Sequence, residues 1–350
     1  MTEVRRVLAA DGAGRISVIE EPLPEPAAGQ VLVEVSASMI SPGTELGGIS
    51  RRRDSPGDAP PKPFGYSNAG VVTRLGEGVT KLSVGQRVAC MGGGYAQHAT
   101  HGCAPQNMAI PIPDGVSDAD ASSIHLVATS LNAVRRLDPK IAEYVAVVGL
   151  GLVGNFATQW ARIAGCHVAG LDRLSTRLEK AEMCGAHLCV DPSTDEGLAA
   201  IRAFTNDRGL DGAIIAFGGD GTAAFKMLVA QIKRAPDTHQ MGRIVIVGGA
   251  RIEHQFAAAL GNLDIRSSAR TGPGYHDEEW EHGRDYPTVF VEWTTSRNME
   301  ECLNFVARGA ISVDPLITHR VSLSDAPDAC EALIQTPNEA LGVVILPQES

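Results

Sequence analysis

The sequence predicts an α/β protein in which a doubly wound parallel sheet is inserted into a small β-barrel. Three observations carry this. The first 111 or so residues are short apolar runs punctuated by Gly and Pro, the pattern of a small barrel. From Tyr144 the rhythm changes to alternating strand and helix. From Pro315 the chain returns to β-type patterning, which makes the barrel discontinuous. At 350 residues there is room for two cores, and the boundaries expected are 1–122 with 314–350 for the barrel and 123–313 for the inserted unit.

In the first part, Val31 to Ser36, Gly70 to Leu75 and Gly85 to Cys90 read as strands. The stretch Gly47 to Pro63, with Arg51-Arg52-Arg53 and four prolines, reads as a loop whose arginines form either a solvated face or an anion contact. Ser117 is placed to cap a helix running from Ala119 to Arg136, with acids in its first turn. The apolar run Tyr144–Val148 then reads as a buried parallel strand. Helices follow over Asn155–Ala164, Ser175–Cys184, about Glu196–Phe204 and about Gly221–Ile232. Strands alternate with them at His167–Leu171, Leu188–Val190, Gly212–Phe217, Arg243–Val247 and Leu263–Arg266. Ala269 to Trp293 is polar and aromatic and fits no regular element, and a loop of that length in a compact domain is usually functional or mobile. Gly342 to Leu346 is the final strand.

Composition excludes several classes. Hydrophobic content of 44% and charged content of 20% fit a globular chain. A net charge of -11 argues against nucleic acid as the main partner, because phosphate binding needs a basic face. No run of about 18 apolar residues exists, so no membrane span is expected. The segment Met1 to Val7 has no apolar core of signal-peptide length. Seven scattered cysteines, none in a CxxC pair, suit reduced thiols, and the location expected is the cytoplasm.

The most informative motif is Gly149-x-Gly151-x-x-Gly154, directly after a strand and opening a helix. The first glycine permits the tight turn, the second admits a pyrophosphate to the backbone, and the third lets the helix pack on the strand. Asp172, roughly 20 residues further on at the end of the next strand, can accept hydrogen bonds from a ribose diol and would repel a 2′-phosphate. The cofactor expected is therefore NAD, although Arg173 leaves room for dual use. Cofactor-binding candidates are Gly149, Gly151, Leu152, Val153, Gly154, Asp172, Arg173, Arg177, Phe217, Gly218, Val247, Gly248 and Gly249.

The order barrel half, glycine-turn domain, barrel return resembles the medium-chain dehydrogenase/reductase superfamily. Gly43-Thr44-Glu45, Gly65 to Val72, Gly85-x-Arg87-Val88, Ile112 to Val116 and Asp172 to Lys180 carry the likeness over essentially the whole chain. It implies a GroES-like β-barrel catalytic domain beside a Rossmann nucleotide-binding domain. A narrower resemblance, in Thr271 to Asp277, Asp285 to Pro287, Glu292 to Thr294, Arg297 to Met299 and Pro315 to Arg320, is to the dehydrogenase half of bi-domain oxidoreductases linked to sugars or cyclitols.

The departures from the family bear on mechanism. Zinc members carry Cys-Gly-Thr-Asp and Gly-His-Glu; here Pro42 precedes Gly43-Thr44-Glu45, and Gly65 is followed by Tyr66 and Ser67. A glutamate ligand of polyol-type members is replaced by His125, and the four-cysteine lobe is missing after Cys90. Zinc wants three or four N, S or carboxylate ligands, so no metal is expected. The resemblance places Thr44, Tyr66 and His125 where the ligand sphere would be. Of these His125 titrates nearest neutral pH, and Tyr66 suits hydrogen-bond donation. Each also has a plain reading: turn residue, packing ring, core histidine. Thr129 matches a residue that buttresses the nicotinamide in relatives. Substrate-wall candidates are Glu45, Tyr275, His276, Tyr286 and Trp293.

The function expected is a zinc-independent NAD(H) oxidoreductase interconverting a secondary alcohol and a ketone, with a small-molecule substrate such as a sugar or cyclitol. The alternatives are an NAD(P)H-dependent enone or quinone reductase and a catalytically silent cofactor-binding subunit. Relatives pair the edge strands of their nucleotide sheets, so a homodimer or homotetramer is expected.

Overall fold

The computed structural model describes residues 3–255 and 258–348. Its contacts divide the chain into one unit of residues 1–128 with 271–350 and a second of residues 129–270.

In the first unit the strand Gln30–Met39 is central. It pairs antiparallel with Ser67–Leu75 along one edge and with His101–Pro105 and then Gly342–Leu346 along the other. The C-terminal strand thus closes against the first half, as the patterning predicts. Arg87–Met91 and Ala109–Pro111 extend the sheet beyond Ser67–Leu75, and Ile317–Ser322 lies outside Gly342–Leu346. A smaller sheet holds Ile16–Pro22, Val4–Ala10 and Lys62–Pro63. Two apolar clusters among the described residues form part of the unit's core. One is built on Val31, Val33, Val72 and Val88; the other packs Leu8, Ile40, Leu46 and Ile49 against Leu323, Cys330 and Val343.

The second unit is a six-stranded parallel sheet in the order Leu188–Val190, His167–Leu171, Tyr144–Val148, Gly212–Ile215, Met241–Val247, Asn262–Ser268. The strand order reverses next to Tyr144–Val148, the switch point at which such sheets bind ligands. Ala146, Ala169, Ala213, Ile215 and Ile244 are wholly buried, as expected of strands covered on both faces.

Three expectations need correction. Gly47 to Pro63 is not all loop, because Gly47–Asp54 is a helix. Local propensity is poor there, but tertiary anchors compensate. Ile49 is buried, Arg52 donates to the Ala10 and Asp11 carbonyls, and Arg53 donates to the Gly14 carbonyl and pairs with Glu331. Two of the three arginines are thus structural anchors. The helix expected over Ala119 to Arg136 is broken into Asp118–Ala121 and Ile124–Leu137. At the break the Ser122 and Ser123 hydroxyls donate to the Ala119 and Asp120 carbonyls, an alternative to the helical ladder. Ser117 does cap, accepting from the Asp120 N–H at 3.0 Å.

The third correction concerns the boundaries. Residues 123–128 and 271–313, expected in the inserted unit, group with the barrel. Side-chain donors of the barrel explain the second of these: Asn107 Nδ2 donates to the Trp280 carbonyl (2.6 Å), Gln106 Nε2 to the His282 carbonyl (2.8 Å), and Lys81 Nζ to Asp285 (2.7 Å). The aromatic segment folds around Trp280, which is 1% exposed.

Candidate functional site

In the second unit the glycine turn has the form its sequence implies. Gly149 has φ +89, and a Cβ at Gly154 would lie 1.9 Å from the Gly149 carbonyl oxygen, so no side chain fits there. Gly151 precedes the helix Leu152–Ile163, and no side chain caps it. Its first-turn N–H groups are left for an anion, the arrangement that binds a pyrophosphate. Asn155, wholly buried, donates to the Leu150 and Gly151 carbonyls at 2.7 and 3.1 Å and stiffens the turn. Phe217 packs against the Gly149 turn, with its Cβ 3.1 Å from where a Cβ of residue 149 would stand. Val247, Gly248 and Gly249 follow the next strand, Gly248 with φ +94.

Asp172 ends the strand His167–Leu171. One carboxylate oxygen accepts the Leu150 N–H at 2.7 Å and the other the Leu174 N–H at 3.1 Å. The acid thus ties the glycine turn to the neighbouring strand. Each oxygen keeps a lone pair for a further donor. Arg173 is exposed, and an Arg177 guanidinium nitrogen lies 3.9 Å from a Cβ position on Gly151. Leu152 and Val153 form the first turn of the helix, and Thr129 begins the unit on the helix Ile124–Leu137.

In the first unit, Gly65 has φ +121, and a Cβ there would meet the His98 N at 2.4 Å. Only glycine lets this strand pass so close, and it sets Tyr66 against His125. Their rings meet edge-on with centroids 4.4 Å apart. Burial, then the charge of Glu45, pushes the Tyr66 phenol well above the usual range, while hydrogen bonds from the Ser41 and Thr44 side chains oppose the shift. Tyr66 is therefore a neutral donor. Burial also lowers the His125 imidazole to about 4, which corrects the expectation that it titrates nearest neutrality. Ser67 is buried and its hydroxyl donates to the Ser122 carbonyl at 2.6 Å.

Glu45, one of the substrate-contact candidates, is buried, its side chain 5% exposed. Its Oε2 accepts the Ser41 N–H at 2.8 Å and lies 3.2 Å from His98 Nε2, and His98 Nδ1 is 2.9 Å from the Ser38 hydroxyl. His98 and Ser38 are absent from the sequence-based candidates. Ser38 lies in the strand Gln30–Met39 and His98 in a bend beside the isolated bridge Val7–Ala99, and nothing local to Gln97-His98-Ala99 signals their meeting with Glu45.

Of the aromatic wall candidates, Tyr275 joins this group. Its phenolic oxygen accepts the Gly93 N–H at 2.8 Å, the adjacent Gly92 N–H donates to the Tyr66 carbonyl, and Tyr275 acts electrostatically on Tyr66. His276 stacks on Tyr275 at 3.9 Å, and its N–H donates to the buried Glu281. Tyr286 and Trp293 are engaged elsewhere. The Tyr286 hydroxyl donates to Asp277 at 2.6 Å, which holds that phenol up at about 12, and Arg297 lies 3.8 Å over the Trp293 ring. Among the described residues no three His, Cys, Asp or Glu side chains converge as a metal site.

Two family models match the chain: alcohol dehydrogenase GroES-like domain over residues 27–114 and zinc-binding dehydrogenase over residues 153–285. An alcohol dehydrogenase of Geobacillus stearothermophilus is 29% identical over 223 residues, which span 53% of this chain and 63% of that protein. A sorbitol dehydrogenase of Bacillus subtilis (strain 168) is 26% identical over 316 residues, 82% of each chain. Among solved structures, an Escherichia coli oxidoreductase/dehydrogenase of unknown specificity superposes with a TM-score of 0.81 over 99% of this chain and 100% of that one, at 18% identity.

Proposed function

The chain belongs to the medium-chain dehydrogenase/reductase superfamily, and from that premise we propose that it is a zinc-independent NAD(H) oxidoreductase interconverting a secondary alcohol and a ketone, with a polyol, sugar or cyclitol as substrate. The observation that carries this reading is the set of neutral hydrogen-bonding groups: Tyr66 and His125, at positions where zinc relatives hold metal ligands, with the Thr44 hydroxyl bonded to Tyr66.

The donor set does not fit zinc. Pro42 offers no ligand atom, Tyr66 keeps its proton, and the Ser67 hydroxyl is spent on a backbone carbonyl. A dinucleotide does fit. The Gly149 to Gly154 turn and the first turn of the following helix would hold its pyrophosphate, and Asp172 its adenosine ribose. When bound, the nicotinamide exchanges a hydride with the substrate carbon. This chain must then bind the substrate oxygen and handle a proton. Tyr66 donates to that oxygen, Thr44 supplies a second hydroxyl, and Tyr275 with His276 forms an aromatic wall suited to a sugar-ring face.

Purified protein should bind NAD more tightly than NADP by calorimetry and oxidise at least one secondary alcohol on a polyol, sugar and cyclitol panel. Chelators should leave that rate unchanged. Stoichiometric zinc, lost together with activity, would refute the metal-free reading. Tight NAD binding with no turnover on the panel would favour the silent subunit instead.

We also infer work in a reducing compartment, since all seven cysteines are free thiols and five are buried. No helix among the described residues is long and apolar enough to cross a membrane. A homodimer or homotetramer through the outer edge of the strand Asn262–Ser268 would cover an otherwise open edge.

A further inference from the structure

Alcohol oxidation releases a proton, and neither Tyr66 nor His125 is built to keep it. Both remain neutral across the physiological range. Within electrostatic reach of Tyr66 lies a buried chain of polar groups, Ser38–His98–Glu45. His98 is 0% exposed, and its backbone is pinned by N–H donation to the Phe64 carbonyl and by acceptance from the Leu8 N–H. With Glu45 ionised, His98 Nε2–H donates to Oε2, and Nδ1 accepts from the Ser38 hydroxyl. The two partners thereby select one tautomer.

The second carboxylate oxygen, Glu45 Oε1, is buried and takes no hydrogen bond among the described residues. An orphaned buried acceptor costs about 1–3 kcal/mol, more when charged, and such exceptions call for an explanation. A proton arriving at that oxygen supplies one.

We propose that Glu45 is the proton acceptor of the reaction, reached through the Tyr66 hydroxyl, and that His98 is the positioning residue that holds its carboxylate. The proposal rests on the alcohol–ketone reading. In the oxidative direction the substrate C–H bond breaks and its electron pair leaves as hydride to the nicotinamide cofactor. The substrate O–H proton moves to the Tyr66 oxygen as the Tyr66 proton passes through one bridging water to Glu45 Oε1, which takes no hydrogen bond from the protein among the described residues. The substrate C–O bond becomes a carbonyl, and the Glu45 carboxylate becomes a carboxylic acid. Reduction runs the same steps backwards. The titratable groups facing Glu45 are His98, Tyr66 and, from the helix Ala326–Gln335, the Cys330 thiol. Burial and the charge of Glu45 keep both Tyr66 and Cys330 protonated, so neither competes for the proton.

The test is the pH profile of turnover on the full chain with NAD and a secondary alcohol from the panel above. Glu45→Gln, nearly isosteric, should lower kcat by about 10²–10⁴-fold and abolish the limb that rises with pH, while KM and NAD affinity change little. His98→Gln and the milder Ser38→Ala should displace the limb along the pH axis without abolishing it, and with a smaller loss of kcat. The Ser38 variant keeps the question answerable if the His98 variant fails to fold. An active wild type whose Glu45→Gln variant keeps both rate and limb overturns the role of Glu45 alone. A wild type inactive on the whole panel overturns the alcohol–ketone reading and this role with it.

Discussion

His125 opens the helix Ile124–Leu137 with its ring against Tyr66, and its surroundings decide what it can do. An exposed imidazole would exchange its proton near neutrality. This one is pushed down to about 4 by burial and stays neutral, so it orients Tyr66 and leaves the titration to another group. His125→Asn should therefore lower turnover while keeping the rising pH limb. A His125→Asn profile that has lost the limb would return the proton to the histidine. Tyr66→Phe keeps the ring and removes the donor, and should cost about 10²–10³-fold in kcat with little change in KM, as for an oxyanion-hole donor. The two candidates themselves are legible in the sequence, because they occupy positions of a known motif. Their protonation is not, because it depends on burial and on Glu45. His98 is invisible at that level. It reaches Glu45 only because backbone bonds to Leu8 and Phe64, both distant in the chain, hold its bend beside the turn Pro42–Leu46.

At the scale of elements, the glycine turn and its two neighbouring strands are the most legible part. A period of alternating strand and helix, three spaced glycines and a terminal acid are all local signals. What the sequence does not disclose is that Asp172 has a second task. Its oxygens hold the Leu150 and Leu174 N–H groups, so it shapes the turn besides making the ribose contact proposed for it. Asp172→Ala should narrow the preference for NAD over NADP in calorimetric titrations. It should also lower thermal stability by about 1–3 kcal/mol, because two amides lose a charged acceptor. Asp172→Asn, which keeps an acceptor, should lose less stability but as much of the preference. Equal NAD and NADP affinity in the wild type would remove the basis for both. Gly154→Ala makes a harsher demand, since its methyl would collide with the Gly149 carbonyl 1.9 Å away. Dinucleotide affinity should fall on the order of tenfold or more while the fold, by circular dichroism, is retained. The helix Gly47–Asp54 is the converse case: its glycines and serine hide it from sequence reasoning, and Arg52, Arg53 and Ile49 hold it through distant partners.

At the scale of the whole chain, histidines held neutral by desolvation set a pH dependence of stability whose sign can be worked out. His125 is held at about 4, and His101 and His187 are lowered as well, each mainly by burial. An unfolded chain protonates these rings near pH 6.5, the ordinary histidine value. Above that value both states are neutral and the histidines contribute no slope. As the pH falls from 6.5 towards 4, the unfolded state takes up protons that the folded state refuses, so stability drops. Below 4, His125 is charged in both states and its slope vanishes. A shift of that size corresponds to about 3 kcal/mol for His125, less whatever its remaining solvent contact screens. Thermal unfolding should accordingly show Tm falling as the pH drops below 6.5, and the part of that fall above about pH 5 precedes the titration of carboxylates with ordinary or lowered values. His125→Phe, which packs a ring of similar size with nothing to protonate, should flatten that part of the curve. If the variant and the wild type lose Tm in parallel across this window, His125 is protonated in the folded chain as readily as in the unfolded one. Neutrality of the site would then have to be abandoned, together with the division of labour between His125, Tyr66 and Glu45.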